Sequence, residues 1–184
     1  MMARFKEGRL AFTFDDEWLE SVVKFDEHRD YQKMATSLSG TKGVDFLGIL
    51  GGELYFIEVK DFRRYRIQNK KRIADGELTT EVGQKIKDTV ACIVGSVRSS
   101  STPEIWQSHC DLLLKKDKPI KGVLWLEEDL PPRGSSSVSQ NVLQKELGKK
   151  LNWLTVRVDV RSLRETIPQN LHLQVANLPV NNAD

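Results

Sequence analysis

The stretch GVDFLGILGGELYFIEVKDFR, residues 43–63, constrains the fold more than any other part of the chain, because two runs of β-forming residues meet at a pair of glycines. Gly51-Gly52 suits the positive φ angles of a tight turn, so the spacing predicts a hairpin with strands at 44–50 and 53–60. A turn centred there pairs Leu50 with Glu53, Phe46 with Ile57 and Asp45 with Glu58. Directly opposed residues point to the same side of a sheet. Alternation along the strand adds Lys60 to that side, with Leu47, Ile49, Leu54 and Phe56. One face is therefore apolar near the turn and ends in two acids and a lysine. Few polar residues lie on either face, so the expected sheet is central, with helices on each side of it.

The rest of the chain is expected to supply those helices and further strands. Trp18, Leu19, Val22 and Phe25 recur at helical spacing within 13–29, and Thr13 with Asp16 has the pattern of a capping box. DYQKMATSL reads ambiguously, as a short strand. A strong helix is expected over 79–97, with Val82, Ile86, Thr89, Val90 and Ile93 on one stripe, and a weaker one near Glu104–Leu114. KGVLWLEED is a third clear strand, PPRGSSS a loop, SQNVLQKELGKKL a helix capped by serine, and WLTVRVDV a further strand. The last twenty residues, with Pro168 and Pro179, read as a peripheral tail.

At 184 residues, with 39% apolar and 29% charged residues, the expectation is one α/β domain: a core at 13–130, a helix-strand extension at 131–164 and a tail at 165–184. No apolar run suits a signal-peptide core or a membrane span, so a cytoplasmic protein without a membrane partner is expected. Cys92 and Cys110 lack disulfide or zinc spacing and are expected as free thiols. The net charge of +2 excludes little, but its distribution is uneven. Acids dominate from Asp15 to Asp30, whereas Lys60, Arg63, Arg64, Arg66, Lys70, Lys71 and Arg72 face only Asp61. Such a basic segment fits either a polyanion or water.

Two carboxylates placed opposite each other repel unless a cation lies between them. Oxygen ligands suit Mg²⁺ or Mn²⁺, and a metal with a nearby lysine suits hydrolysis of a phosphodiester. A Glu-x-Lys alone is common. Joined to a buried strand, an Asp across the hairpin and a basic segment just after it, the pattern is more specific.

Asp45 followed by Glu58-Val59-Lys60 resembles the Asp…(Asp/Glu)-x-Lys signature of the restriction-endonuclease-like, or PD-(D/E)xK, nuclease superfamily. The loop SGTKGVD is similar to that of archaeal Holliday-junction resolvases within it. Val44 stands where that family often has its Pro. The resemblance covers 13–95 and implies a three-layer α/β sandwich with a central mixed sheet and an αβββαβ core. It further implies Asp45 and Glu58 as metal ligands, joined by the Val59 carbonyl, with Lys60 as the catalytic cation. An acid on the first helix often completes such a site, and Asp15, on the sheet-facing stripe, fits either that role or a helix cap. Gln84 or Lys87 matches a polar position on the later helix, or simply its outer face.

The expected function is that of a Mg²⁺- or Mn²⁺-dependent DNA endonuclease, with Arg63, Arg64, Arg66, Lys70 and Lys71 on phosphates. Junction cleavage would require a homodimer. The alternative is a nuclease-fold module that binds nucleic acid or a partner subunit of a restriction, defence or repair system.

Overall fold

The chain begins with a hairpin. Strand β1 (Ala3–Glu7) pairs antiparallel with β2 (Leu10–Phe14) across Gly8 and Arg9, and Gly8 takes a φ of 55°. The structure, a computed structural model, describes residues 2–18, 21–130 and 139–179, with only the backbone at 66 and 67. The expected loop PPRGSSS lies outside the described residues.

After β2 come β3 (Val23–Lys24), α1 (Arg29–Ser37), β4 (Phe46–Leu50) and β5 (Glu53–Asp61). The chain continues through α2 (Arg66–Ala74), α3 (Glu77–Ser99), α4 (Glu104–Leu114), β6 (Ile120–Glu127) and α5 (Gln140–Lys150), then β7 (Val156–Arg161) and β8 (Leu173–Asn177). A mixed five-stranded sheet has the order β3-β4-β5-β6-β7; its first two pairings are antiparallel and its last two parallel. A second sheet has the order β1-β2-β8 and is antiparallel throughout. The β4–β5 register pairs Phe46 with Ile57 and Leu50 with Glu53, and Gly51 and Gly52 both take positive φ, 59° and 75°. The helices over Glu77–Ser99 and Glu104–Leu114, and the one capped by Ser139, stand where their periodicity placed them.

The sheet has different covers on its two faces. Leu47, Leu54, Phe56, Leu124 and Leu126 pack with Val82, Ile86 and Ile93 of α3, Trp106 of α4 and Leu143 and Leu147 of α5. On the other face Phe46, Tyr55, Ile57, Val59 and Trp125 pack with Leu10, Phe12, Phe14 and Leu173 of the smaller sheet. The molecule is an α/β fold, with helices on one side of its central sheet and a sheet on the other. Helices on both sides had been expected, because strands apolar on both faces show that they are covered and not by what.

Three other expectations change. Among the described residues of 13–29 there is no α-helix before Arg29: Thr13 lies in β2, and Asp16–Trp18 and Phe25–Glu27 are single 3₁₀ turns. The reason is packing, since Trp18 belongs to the sheet–sheet core and Phe25 to the helix-side core. One helical stripe cannot face both. DYQKMATSL is not a strand but most of α1, whose N-terminus is capped by the His28 ring accepting from Asp30 N at 3.2 Å. The tail contributes β8, and Trp18 Nε1 donates to the carbonyls of Leu171 and His172 at 3.1 and 3.0 Å. Cys92 and Cys110 are free, and among the described residues no helix is long and apolar enough to cross a membrane.

Candidate metal centre

Asp45 is fixed by the loop that leads into β4. Helix α3 holds that loop, with Lys42 N donating to Asp88 Oδ2 at 3.0 Å and Val44 N to Thr89 Oγ1 at 3.1 Å. Gly43 has no room for a side chain, because a Cβ there would stand 2.8 Å from the rings of Phe25 and Tyr31. Asp45 O accepts from Phe25 N at 2.8 Å, and Asp45 Oδ2 accepts from Val59 N, across the hairpin, at 2.6 Å. The backbone around Asp45 is thus pinned on three sides.

Glu58, on the helix-side face of β5, is 1% exposed, and Asp45 is 5% exposed. Glu58 Oε1 takes two amines, Lys60 Nζ at 2.9 Å and Lys85 Nζ at 2.6 Å. Glu58 Oε2 is buried and has no hydrogen-bond partner. Lys85 Nζ also lies 3.6 Å from Asp45 Oδ1, and Lys60 Nζ lies 3.0 Å from Glu81 Oε1. Arg72 holds the other oxygen of Glu81 at 2.5 Å.

Electrostatics follow from this arrangement. Burial, then the charge of Glu58, pushes the Asp45 carboxyl up to about 7, against the pull of Lys85. Burial also raises Glu58, although Lys85 and Lys60 oppose it. Burial works against the charge of Lys60, but Glu58 and Glu81 outweigh it and hold its pKa above the ordinary lysine value. Lys60 is therefore held in its charged form in the metal-free protein. Glu81 is held below the usual carboxylate range, since Lys60 and Arg72 more than offset its burial.

A second acidic group adjoins the first. One carboxylate oxygen each from Glu7, Asp26 and Asp45 lies within 4.8 Å of the other two. The Lys24 amine already sits among them, bonded to Glu7 and, at 3.0 Å, to Asp26 Oδ1. Burial disfavours its charge, but these acids raise its pKa well above the ordinary value. Asp45 stands between the two groups.

Comparison with known proteins adds no relative. No family model matches the chain, and no curated protein or solved structure does so either.

The structure brings Asp45, Glu58 and Lys60 together as the hairpin register requires, and it separates other expected residues from them. Asp15 is not on a helix; it follows β2, where its carboxylate meets His172 Nδ1 at 2.8 Å and Glu17 N at 3.0 Å. Gln84 is exposed, and Lys87 is exposed and paired with Asp88 at 3.2 Å. Lys85, between them, is the residue that turns inward. Arg63 is committed to structure: its Nε and Nη2 donate to Asp61 at 2.8 and 2.7 Å, and its Nη1 to Asn177 of β8 at 2.6 Å. Arg64, Lys70 and Lys71 are exposed, and Arg64 holds a φ of 72° with its N–H on Asp129 at 2.6 Å. Arg66 opens α2, but its side chain lies outside the described residues.

Sequence reasoning missed Lys85, Glu81, Glu7, Asp26 and Lys24. Glu81 and Lys85 had a usable signal, being one turn apart and flanking the Val82–Ile86–Thr89 stripe of α3. Glu7 had none, because nothing local tells that β1 ends beside Asp45.

Proposed function

We propose that this chain is a metal-dependent DNA endonuclease of the restriction-endonuclease-like type, with Mg²⁺ or Mn²⁺ held by Asp45 and Glu58. The observation that carries the reading is the bare, buried Glu58 Oε2 beside a second buried acid. A buried carboxylate oxygen without a partner is costly, and a divalent cation would satisfy it. The residues present thus fit the group: two hard oxygen donors, with the Val59 carbonyl as a further ligand of the proposal. The β4–β5 hairpin, followed by helices and the parallel strand β6, fits the later part of the expected core, whereas α1 stands between β3 and β4 where that core has consecutive strands. Its first helix has no counterpart here, which removes the basis for Asp15 as a ligand.

When bound, the metal would polarise a phosphoryl oxygen and lower the pKa of a water molecule. Lys60, kept charged by Glu58 and Glu81, neutralises charge that develops on the phosphate in the transition state. Val59 N–H holds Asp45 Oδ2 in place and so orients the carboxylate that, with Glu58, would hold the cation. Arg64, Lys70 and Lys71 are free to meet the backbone phosphates of DNA, and Arg66 belongs to the same segment. Arg63 leaves that set, because its guanidinium ties the end of β5 to β8.

A second reading, a nuclease-fold module that binds DNA or a partner subunit without cutting, draws on the two lysines that already compensate Glu58. Labelled linear, single-stranded and branched DNA, incubated with Mg²⁺ or Mn²⁺, separates the two. Cleavage that disappears in both Asp45→Ala and Lys60→Ala supports the enzyme, and the substrate cut narrows its role. Binding that needs no metal, with no cleavage of any substrate, supports the module instead.

A further inference from the structure

The Asp45–Glu58 pair already has a cation of its own, and it comes from a helix rather than from the hairpin. Lys85 extends from α3 beside the buried Ile86, and its amine is the one that spans both acids, 2.6 Å from Glu58 Oε1 and 3.6 Å from Asp45 Oδ1. Lys60 is placed differently, shared between Glu58 and Glu81. The Lys85 side chain is only 14% exposed, so solvent screens its amine less than that of a surface lysine. A divalent cation on the same two carboxylates would come close to this ammonium, and like charges in a poorly solvated site repel strongly. Lysine carries its charge on a flexible four-carbon stem, and can withdraw the amine to water without moving the backbone.

We propose that the Lys85 amine is a built-in counterion, which holds Asp45 and Glu58 together in the metal-free protein and swings off the pair when a divalent cation binds there. The inference rests on the metal reading above. It deepens that reading by giving the site a regulation: an internal cation competes with the external one, so the metal alone binds weakly. Firm binding then requires additional oxygen ligands, of the kind a substrate phosphate supplies. Cleavage-competent metal is thereby gathered where a substrate is present.

The test titrates Mn²⁺ alone into the full chain and reads free Mn²⁺ by electron paramagnetic resonance, for wild type, Lys85→Met, Lys85→Arg and Asp45→Asn. Asp45→Asn is expected to lose the site, Lys85→Met to bind Mn²⁺ about tenfold more tightly than wild type, and Lys85→Arg to stay close to wild type. In wild type, acetylation of the Lys85 amine under mild conditions, read by mass spectrometry, is expected to rise when Mg²⁺ is added. That second readout decides alone should Lys85→Met fail to fold. Unchanged or weaker Mn²⁺ binding by a folded Lys85→Met, or a Lys85 amine no more reactive with Mg²⁺ than without, overturns the counterion and leaves the metal site standing. Mn²⁺ binding at Asp45 that is absent from both wild type and a folded Lys85→Met overturns the metal reading and this inference with it.

Discussion

Asp45 shows how a single buried residue links the fold to the electrostatics of the candidate site. Its carboxyl is pushed up to about 7, first by burial and then by Glu58, so the folded state takes up its proton more readily than the unfolded chain. A raised folded pKa contributes stability that is complete below the unfolded value and is lost as pH rises through the folded one. In the metal-free protein, stability relative to Asp45→Asn should therefore fall between about pH 4 and 7, by roughly 1 kcal/mol per pH unit. Chemical denaturation at a series of pH values checks this, and a difference that stays flat would remove the electrostatic account of the site. Gly43 acts on the same residue through the backbone. Gly43→Ala must push into the rings of Phe25 and Tyr31, and is expected to lower stability by about 1–3 kcal/mol and to weaken metal binding at Asp45, both measurable by thermal unfolding with and without Mg²⁺.

Among the elements, those whose partners are near in sequence were legible in it. The β4–β5 hairpin carries its own turn, and its register brings Asp45, Glu58 and Lys60 together before any other contact is known. Helices α3, α4 and α5 announce themselves by apolar spacing. The segment 13–29 misled because Trp18 and Phe25 are helically spaced while packing on opposite sides of the central sheet. Lys85 was legible only in part, since helix position is visible in sequence and the neighbour across from it is not. The basic segment shows the same limit: charge counts put Arg63 among the phosphate contacts, whereas Asp61, Arg9 and Asn177 tie it into the fold. Arg63→Ala is expected to cost about 1–2 kcal/mol of stability through its lost charged hydrogen bonds. Lys70→Ala with Lys71→Ala should instead leave the unfolding temperature alone and weaken DNA binding, more so at low salt. Paired melting curves and binding isotherms distinguish the two effects.

The whole molecule is closed by contacts between its ends. Strand β8 completes the sheet that β1 and β2 begin, and Leu173 and the carbonyls after Pro168 meet Phe14 and Trp18. No local pattern could disclose this, because a strand edge far along the chain has no signature in the residues it pairs with. Leu173→Ala is expected to cost about 2–4 kcal/mol, the cost of a cavity in a packed core, and equilibrium unfolding measures it directly. The same closure fixes the small sheet against the central one and places Glu7, at the end of β1, beside Asp45. Metal affinity and global stability should accordingly move together. The most direct measurement of the central claim is the unfolding temperature at pH 8, with and without Mg²⁺ at a concentration well above its weak Kd, for wild type beside Asp45→Asn and Glu58→Gln. If the buried pair is a cation site, Mg²⁺ raises the midpoint of wild type, as a ligand of the native state must, and raises neither variant. An unmoved wild type, or variants that respond as it does, would contradict the account.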